Sequence, residues 1–296
     1  MKVTFLPDVE PRPRRVAVGE FDGLHLGHRE VIRGNDTILT FEPHPRAVVS
    51  PESAPKLLTT LDVKADLAAG LGVEELVVIP FDEKFAAVGA TEFVDEVLVK
   101  GLGATHVSVG ENFRFGHRAE GDTDLLRAEP RFETRVVPLV EAGGEVISSS
   151  HIRGLVLAGD VAEAARFLGD PFQLRGEVKH GDKRGRTLGY PTANLVPDPK
   201  VVCPGHGVYA CRAGDRAAAV NVGIRPTFVT GRGVLIEAFL IDWEGDLYGQ
   251  ELRLEFLRRL RGERRFDDVD ALVEQMAQDV EEARSVHGSF ATVPRP

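Results

Sequence analysis

The chain has 296 residues, of which 43% are hydrophobic and 28% charged, a composition typical of a soluble globular protein of about two domains. Its formal net charge of −10 disfavours nonspecific binding to nucleic acids or anionic membranes. No signal peptide is visible, and no uncharged run reaches the ~18 residues of a membrane helix. Cys203 and Cys211 have neither metal-ligand spacing nor a disulfide framework around them, so we expect a reducing, cytoplasmic location.

The first half of the sequence alternates between strand and helix patterns. Strands are predicted at 15–18, 37–41, 76–80 and 105–109, and helices at 61–71, 91–100 and 160–168. We expect Thr91 to cap the second helix, and Asp160 with Glu163 to form a capping box on the third, which ends at Gly169. The alternation predicts a parallel sheet with helices on both faces, and ligands beyond the carboxyl ends of its strands.

The stretch Gly19–His28 follows the first predicted strand and contains three glycines and two histidines. The glycines permit a tight turn and a close approach of the backbone to a ligand. His25 and His28 share one face if the segment is helical, beside the unpaired N–H groups of a helix start. This pattern favours a phosphate site over its alternative, a turn with two surface histidines.

Three further motifs follow strands. Two prolines fix the loop 41–45 and present Glu42 and His44, for which a rigid turn is as good an explanation as a site. Asn112 can hydrogen-bond a phosphate or a base edge, and Phe113 and Phe115 suit either a ring pocket or plain core. The run 147–153 combines three hydroxyls with an arginine at a helix start, as in an anion site or an ordinary N-cap. Its polar members are Ser148, Ser149, Ser150 and Arg153.

After Gly169 the hydrophobic period changes to two, and we place a domain boundary there. Strands are predicted at 172–180, 207–213, 216–222, 234–241 and 251–256, which favours a small antiparallel barrel. An apolar stripe from Val269 to Val280 predicts a closing helix, capped by Asp267.

The stretch 181–194 combines glycines and basic residues with neutral oxygens. Such a loop suits a polyphosphate, although a basic glycine hairpin is the plain alternative, and it is not a Walker A loop. Thr192 and Asn194 are two residues apart, so on a strand their oxygens face the same way and suit Mg²⁺.

The first of these motif sets resembles the nucleotidyltransferase superfamily, and in its Gly-x-Phe-Asp-Gly-x-His-x-Gly-His form the FAD-synthetase half of the prokaryotic bifunctional riboflavin kinase/FAD synthetases. The resemblance implies a Rossmann-like FMN adenylyltransferase domain, 1–169, in which His25 and His28 are catalytic. It also implies a set of groups that bind ATP or FMN, namely Gly19, Phe21, Asp22, Gly23, Gly27, Asn112, Ser148, Ser149, Ser150 and Arg153.

The second set is similar to the signature of the riboflavin-kinase half, which implies a β-barrel kinase domain, 170–296, with Glu237 as catalytic base. Thr192 and Asn194 would hold Mg²⁺. The ATP-binding residues implied are Gly181, Arg184, Gly185, Arg186, Gly189 and Pro191. The stretches 221–228 and 246–249 also resemble the family, so that the resemblance covers nearly the whole chain.

The sequence departs from the family pattern at a few positions. Glu20 replaces the usual asparagine and adds negative charge near the expected phosphates, and Gly262 replaces a frequent proline. Eleven residues separate His28 from Thr40, which is shorter than in the family. We expect this shortening to affect outer helix packing and to leave both histidines in place.

These features together predict a bifunctional enzyme that phosphorylates riboflavin to FMN and adenylylates FMN to FAD, with ATP and Mg²⁺. Its partners are expected to be small molecules, with no nucleic acid and no membrane, and its oligomeric state is open. One rival is a riboflavin kinase whose nucleotidyltransferase domain is degenerate or differently specific. Another is a flavin-binding protein without turnover.

Overall fold

Two sheets of opposite construction contain nearly all strands of the chain, a parallel sheet and a closed antiparallel barrel. They belong to two separate units, Met1–Ser149 and Ser150–Pro296. The computed structural model describes residues 1–180, 190–225 and 233–291, with side chains except at 224, 225, 233 and 291.

The first unit contains a six-stranded, all-parallel sheet. Its strands are β1 Lys2–Phe5, β2 Arg14–Val18, β3 Thr37–Glu42, β4 Glu75–Pro80, β5 Ala104–Gly110 and β6 Glu133–Val137, in the order β1-β4-β3-β2-β5-β6. A small hairpin, β7 Glu141–Ala142 with β8 Glu145–Val146, follows. After β2 the chain builds outward on one side through β3 and β4, and then on the other side through β5 and β6. The sheet therefore has a topological switch point between β2 and β5.

Helices and two apolar clusters cover both faces of this sheet. The helices are α1 Leu26–Ile32, α2 Pro45–Val49, α3 Leu61–Gly70, α4 Glu83–Ala86, α5 Ala90–Glu92 and α6 Thr123–Ala128, with a π-helix, Phe93–Gly101, continuing from α5. One cluster contains Phe93 and Val107, and the other contains Phe21 and Ile38. The predicted parallel α/β fold is confirmed.

The structure adds two edge strands that the sequence analysis did not predict. In β1 only Thr4 is buried, and β6 carries polar residues with only Val137 buried. Neither strand shows the apolar alternation from which a strand is inferred, because an edge strand has fewer neighbours to pack against. Both are placed by pairing with β4 and β5.

Three predicted helix caps differ in detail. The helix expected from Thr91 begins one residue earlier, with Gly89 as its N-cap. Asp160 is the N-cap of α8, but its side chain makes no capping hydrogen bond, whereas Gly169 ends that helix in the left-handed conformation as predicted. The closing helix is capped by Asp268 and not by Asp267, because Asp268 directly precedes it and accepts from the Ala271 N–H at 2.8 Å.

The second unit is built around a closed six-stranded barrel. Its strands are β9 Phe172–Lys179, β10 Ala193–Pro197, β11 Gly207–Ala213, β12 Arg216–Arg225, β13 Gly233–Leu240 and β14 Glu251–Arg261, in the order β10-β13-β12-β11-β14-β9. Its helices are α7 Ser149–Ala158, α8 Val161–Leu168 and α9 Val269–Ala291. Ala283 and Val286 of α9 pack on the barrel exterior against Ala210 and Leu257. The predicted barrel with a closing helix is confirmed.

Among the residues that the structure describes, none of the helices has both the length and the apolar character needed to cross a bilayer.

Candidate functional sites

The glycine- and histidine-rich turn lies at the carboxyl end of β2, beside the topological switch point. Its backbone takes left-handed conformations at three positions, Phe21 (φ 50°), Gly23 (φ 87°) and Leu24 (φ 40°). Such conformations cost about 1–3 kcal/mol at a residue other than glycine, and they persist only where the surroundings fix them. The turn is therefore held in a conformation that it would not adopt alone.

Hydrogen bonds to distant segments hold this turn. The carboxylate of Asp22, which is 3% exposed, accepts from the backbone N–H groups of Leu58 and Thr59 at 2.9 and 3.0 Å. The hydroxyl of Thr59 accepts from the Gly23 N–H at 3.1 Å, and the hydroxyl of Ser149 donates to the Asp22 carbonyl at 3.0 Å. Asp22, predicted as a nucleotide-binding residue, thus has its carboxylate bound within the protein, where it fixes the turn.

The two histidines form a stacked pair at the start of α1. His25 is the N-cap, and its Nδ1 accepts from the His28 N–H at 3.2 Å, so the neutral ring of His25 carries its proton on Nε2. The rings lie 3.5 Å apart between centroids, and the Phe21 ring meets His28 edge-on at 5.3 Å. A Cβ on Gly27 would lie 3.3 Å from the His25 ring, so glycine permits this close packing.

The environment of His28 favours a neutral imidazole. Burial lowers the pKa of His28 well below its ordinary value, and the nearby His25 and Lys64 lower that pKa further. The partial positive charge at a helix N-terminus opposes an imidazolium in the same way. The Nδ1 atom of His28 is shielded from solvent and has no hydrogen-bond partner among the described residues.

Lys64 is a buried charge beside the turn that the sequence analysis missed. It lies on α3, is 5% exposed, and donates from Nζ to the Glu20 carbonyl at 2.6 Å and to the Thr40 hydroxyl at 3.0 Å. One signal was available, since Lys64 shares the inward stripe of α3 with Leu61 and Ala68 at spacings of three and four. A lysine on such a stripe is rarely buried without a specific partner.

The other motifs of the first unit have separate positions. Asn112 is exposed in the turn after β5, on the far side of the switch point from the histidine turn. Phe113 and Phe115 stack at 5.5 Å, and Phe115 belongs to the apolar core, which supports the core interpretation. His44 is the N-cap of α2, its Nδ1 accepting from the Arg46 N–H at 3.1 Å.

The predicted anion-binding run falls on both sides of the division between the units. Ser148 and Ser149 belong to the first unit, and Ser150 and Arg153 belong to the second; α7 begins at Ser149. Within α7, Arg153 Nη1 donates to the Ser150 hydroxyl at 3.3 Å. Arginine and hydroxyl are therefore adjacent at the start of this helix, as the sequence predicted.

In the barrel, strand register brings three polar residues into one row. Asn194 of β10 lies directly opposite Glu237 of β13, and Glu237 lies opposite Asn221 of β12. Directly opposed residues share a face and have Cβ atoms ~4.5–5.5 Å apart. Ile236 and Ala238 are fully buried on either side of Glu237 along β13, so Glu237 faces the barrel exterior.

The residues around this row are only partly described. Pro191 and Thr192 directly precede β10, and the Tyr190 ring packs edge-on against Phe239 of β13 at 5.2 Å, which fixes the approach to the strand. The turn 226–228 lies outside the described residues. So do five residues predicted to bind the ATP phosphates, namely Gly181, Arg184, Gly185, Arg186 and Gly189.

In the described parts of the chain, no group of three or more His, Cys, Asp or Glu side chains is arranged to hold a metal ion. The magnesium ligands predicted for the barrel are neutral oxygens, which suit Mg²⁺ together with substrate phosphates. Asn194, which is 8% exposed and stands opposite Glu237, is placed to supply one such oxygen.

Comparisons with known proteins divide the chain in the same way as its two sheets. A family model described as FAD synthetase matches residues 8–151, and one described as riboflavin kinase matches residues 168–287. The bifunctional riboflavin kinase/FMN adenylyltransferase of Listeria monocytogenes is 36% identical over 287 residues, covering 91% of each chain. The enzyme of the same name from Escherichia coli is 36% identical over 291 residues, covering 92% of each chain.

A solved structure is similar over nearly the full length. It is a crystal structure described as a macrolide-efflux protein from Streptococcus pneumoniae, 32% identical, with a TM-score of 0.87, covering 96% of this chain and 99% of that one. Both family models, the full-length relatives and the order of the two sheets agree. The chain belongs to the family of bifunctional riboflavin kinase/FMN adenylyltransferases.

Proposed function

We propose that each activity of the family is carried out by one of the two units of this chain. The chain is a riboflavin kinase and an FMN adenylyltransferase. The observation that carries the assignment is the agreement of each family match with one sheet and one candidate site. The FAD-synthetase match spans the histidine turn of the parallel sheet, and the riboflavin-kinase match spans the barrel row of Glu237.

In the first unit, an oxygen of the FMN phosphate attacks the α-phosphorus of ATP. A new P–O bond forms in line with the departing group, the bond from the α-phosphorus to the bridging oxygen breaks, and pyrophosphate leaves. His25 and His28 act as neutral donors to the charge that develops on the phosphate oxygens, a role supported by their stacking at the α1 N-terminus. No covalent enzyme intermediate is needed.

The turn contributes mainly backbone. Gly19, Gly23 and Gly27 let the chain approach the phosphates closely, and Phe21 and Asp22 hold the turn through packing and hydrogen bonds. Asn112 is proposed to bind substrate from the opposite side of the switch point. Ser148, Ser149, Ser150 and Arg153 are proposed as further phosphate ligands, as the family resemblance implies.

In the barrel, Glu237 takes the proton of the riboflavin 5′-hydroxyl while the γ-phosphoryl group moves from ATP to that oxygen and ADP leaves. Thr192 and Asn194 would hold Mg²⁺, and the neutral oxygen of Asn194 opposite Glu237 supports this role. Bound Mg²⁺ would neutralise phosphate charge. The glycine-rich loop with Arg184 and Arg186 is proposed to hold the ATP phosphates, with Pro191 at its end.

The cellular setting stays a prediction. The net charge of −10 supports small-molecule partners over nucleic acids or anionic membranes. A cytoplasmic location is supported by the cysteines, since neither Cys203 nor Cys211 forms a disulfide in the described part of the chain.

One assay tests the function as a whole. The purified chain is incubated with riboflavin, ATP and Mg²⁺, and riboflavin, FMN and FAD are separated over time. We expect FMN to appear first and FAD to follow. FMN without FAD would mean a degenerate or differently specific first unit, and flavin binding without either product would mean a binding protein.

A further inference from the structure

Lys64 is a charged group with no part in the mechanism so far, yet it is almost completely buried next to the histidine turn. Burying an ammonium group costs several kcal/mol unless hydrogen bonds and opposite charges compensate it. Its hydrogen bonds go to the Glu20 carbonyl and the Thr40 hydroxyl, and that hydroxyl in turn donates to the same carbonyl at 3.0 Å. The lysine, the threonine and the carbonyl thus form a closed triangle under the turn.

The charges that face Lys64 come from three carboxylates. Burial lowers the pKa of Lys64, and Glu20, Asp22 and Glu42 oppose that change, Glu20 most strongly. Burial raises the pKa of Glu20 to about 8, which Lys64 opposes and the other two carboxylates reinforce. Lys64 is therefore the cation that compensates the acidic residues gathered beneath this turn.

A short chain of contacts connects Lys64 with His28. Glu20, whose carbonyl Lys64 holds, directly precedes Phe21, one of the residues in the left-handed conformation. The Phe21 ring meets the His28 ring edge-on, and His28 stacks on His25. A displacement of the Glu20 carbonyl would move the Phe21 ring and with it the imidazole pair.

We propose that Lys64 is a positioning residue of the adenylyltransferase site, which fixes the histidine turn through its hydrogen bonds to the Glu20 carbonyl and the Thr40 hydroxyl. The inference rests on the proposed function of the first unit.

The charge of Lys64 makes the role distinguishable from that of a purely structural side chain. Three features lower the pKa of His28, namely its burial, His25 and Lys64. Removing the lysine charge should raise the pKa of His28, and the low-pH decline in FAD formation should then begin at a higher pH. A structural residue would change the amount of folded protein and leave this pH dependence where it is.

The test compares Lys64→Met with Lys100→Met in the full chain. Lys100 is a matched control, since its side chain is 66% exposed in the same unit. Lys64→Met should lower kcat for FAD formation from FMN roughly tenfold to 100-fold, as a misplaced catalytic pair does. Riboflavin phosphorylation should stay within about twofold in both variants, and the pKa of the His28 ring, followed by NMR, should rise only in Lys64→Met.

A second variant covers the case in which Lys64→Met fails to fold. Thr40→Val removes two of the three hydrogen bonds of the triangle at nearly constant volume and keeps the lysine charge. The value of kcat should then fall several-fold with the pKa of His28 unchanged. Full FAD-forming activity in Lys64→Met or in Thr40→Val overturns the inference, as does a loss in Lys64→Met without any change in the pKa of His28. A wild-type chain that makes no FAD would instead refute the proposed function.

Discussion

The two candidate sites are assembled by different physical means. In the first unit a strained ten-residue turn carries the groups that we propose to be catalytic, and hydrogen bonds from segments far along the chain hold it. In the barrel the strands themselves carry them, and register alone aligns Asn194, Glu237 and Asn221. A site made from a turn should be sensitive to backbone changes, whereas a site made from strand register should be sensitive to single side chains.

The largest effect should come from the side chain at the centre of the barrel row. Glu237→Gln keeps the shape of the residue but removes the base, so kcat for FMN formation should fall roughly 10²- to 10⁴-fold with little change in riboflavin KM. Steady-state kinetics of both reactions measures this. Glu251→Gln, an exposed glutamate on β14, should be neutral. A Glu237→Gln enzyme of normal rate would remove Glu237 from the mechanism.

The corresponding change in the first unit should be somewhat smaller. His28→Ala removes one neutral donor, which lowers the rate of FAD formation from FMN by roughly 10²- to 10³-fold. Riboflavin phosphorylation in the same preparation should be nearly unchanged. Equal loss of both activities would contradict the assignment of His28 to one site.

A backbone change separates the two kinds of site more directly. Gly23 has a φ of 87°, so Gly23→Ala should cost about 1–2 kcal/mol and displace the turn. FAD formation should fall about tenfold or more, as a small misplacement of catalytic groups does. Gly144→Ala is the control, because Gly144 has a φ of 84° in the β7–β8 hairpin and no atoms near its Cβ position. If both variants lose stability and neither loses activity, the turn does not position the histidines.

The smallest effect concerns where the kinase fragment should begin. The change of hydrophobic period predicts a boundary at Gly169, whereas the compact second unit begins at Ser150. Val156 and Val161 are fully buried, and the Arg259 guanidinium donates to the Ala158 carbonyl at 3.3 Å.

Fragments 150–296 and 170–296 should both phosphorylate riboflavin, but the shorter should melt about 10 °C lower, since each buried side chain is worth ~1.5–3 kcal/mol. Equal melting temperatures would favour the boundary at Gly169.

Features with a local sequence signal could be predicted, whereas features that depend on partners far along the chain could not. Five of the six barrel strands, all except β10, and the histidine turn were predicted because their signals are local. These signals are alternation along a strand, and glycines with histidines within ten residues. Lys64 was missed because its partner, the Glu20 carbonyl, is 44 residues away. The support that the Asp22 carboxylate gives to the turn was missed for the same reason, since its partners lie 36 and 37 residues further along the chain.

The edge strands could not be predicted from local sequence either. β1 and β6 are specified by their pairing with β4 and β5 and not by any pattern of their own. The N-cap of α9 is Asp268 and not the predicted Asp267, an error of one residue. Sequence patterns do not locate a helix start to a single residue, and here the Asp268 carboxylate is the one that accepts from a helix N–H group. Local patterns thus identified most elements of this chain, whereas long-range contacts place the edge strands and hold the histidine turn.

The central claim is that one chain holds two independent sites, and mixing the two catalytic variants tests it most directly. Glu237→Gln should make FAD from added FMN but almost none from riboflavin, and His28→Ala should convert riboflavin to FMN and stop there. Combined with riboflavin, ATP and Mg²⁺, the two proteins should form FAD, because FMN released by one is adenylylated by the other. A mixture that accumulates FMN without FAD, while Glu237→Gln alone still uses added FMN at that concentration, would contradict the account.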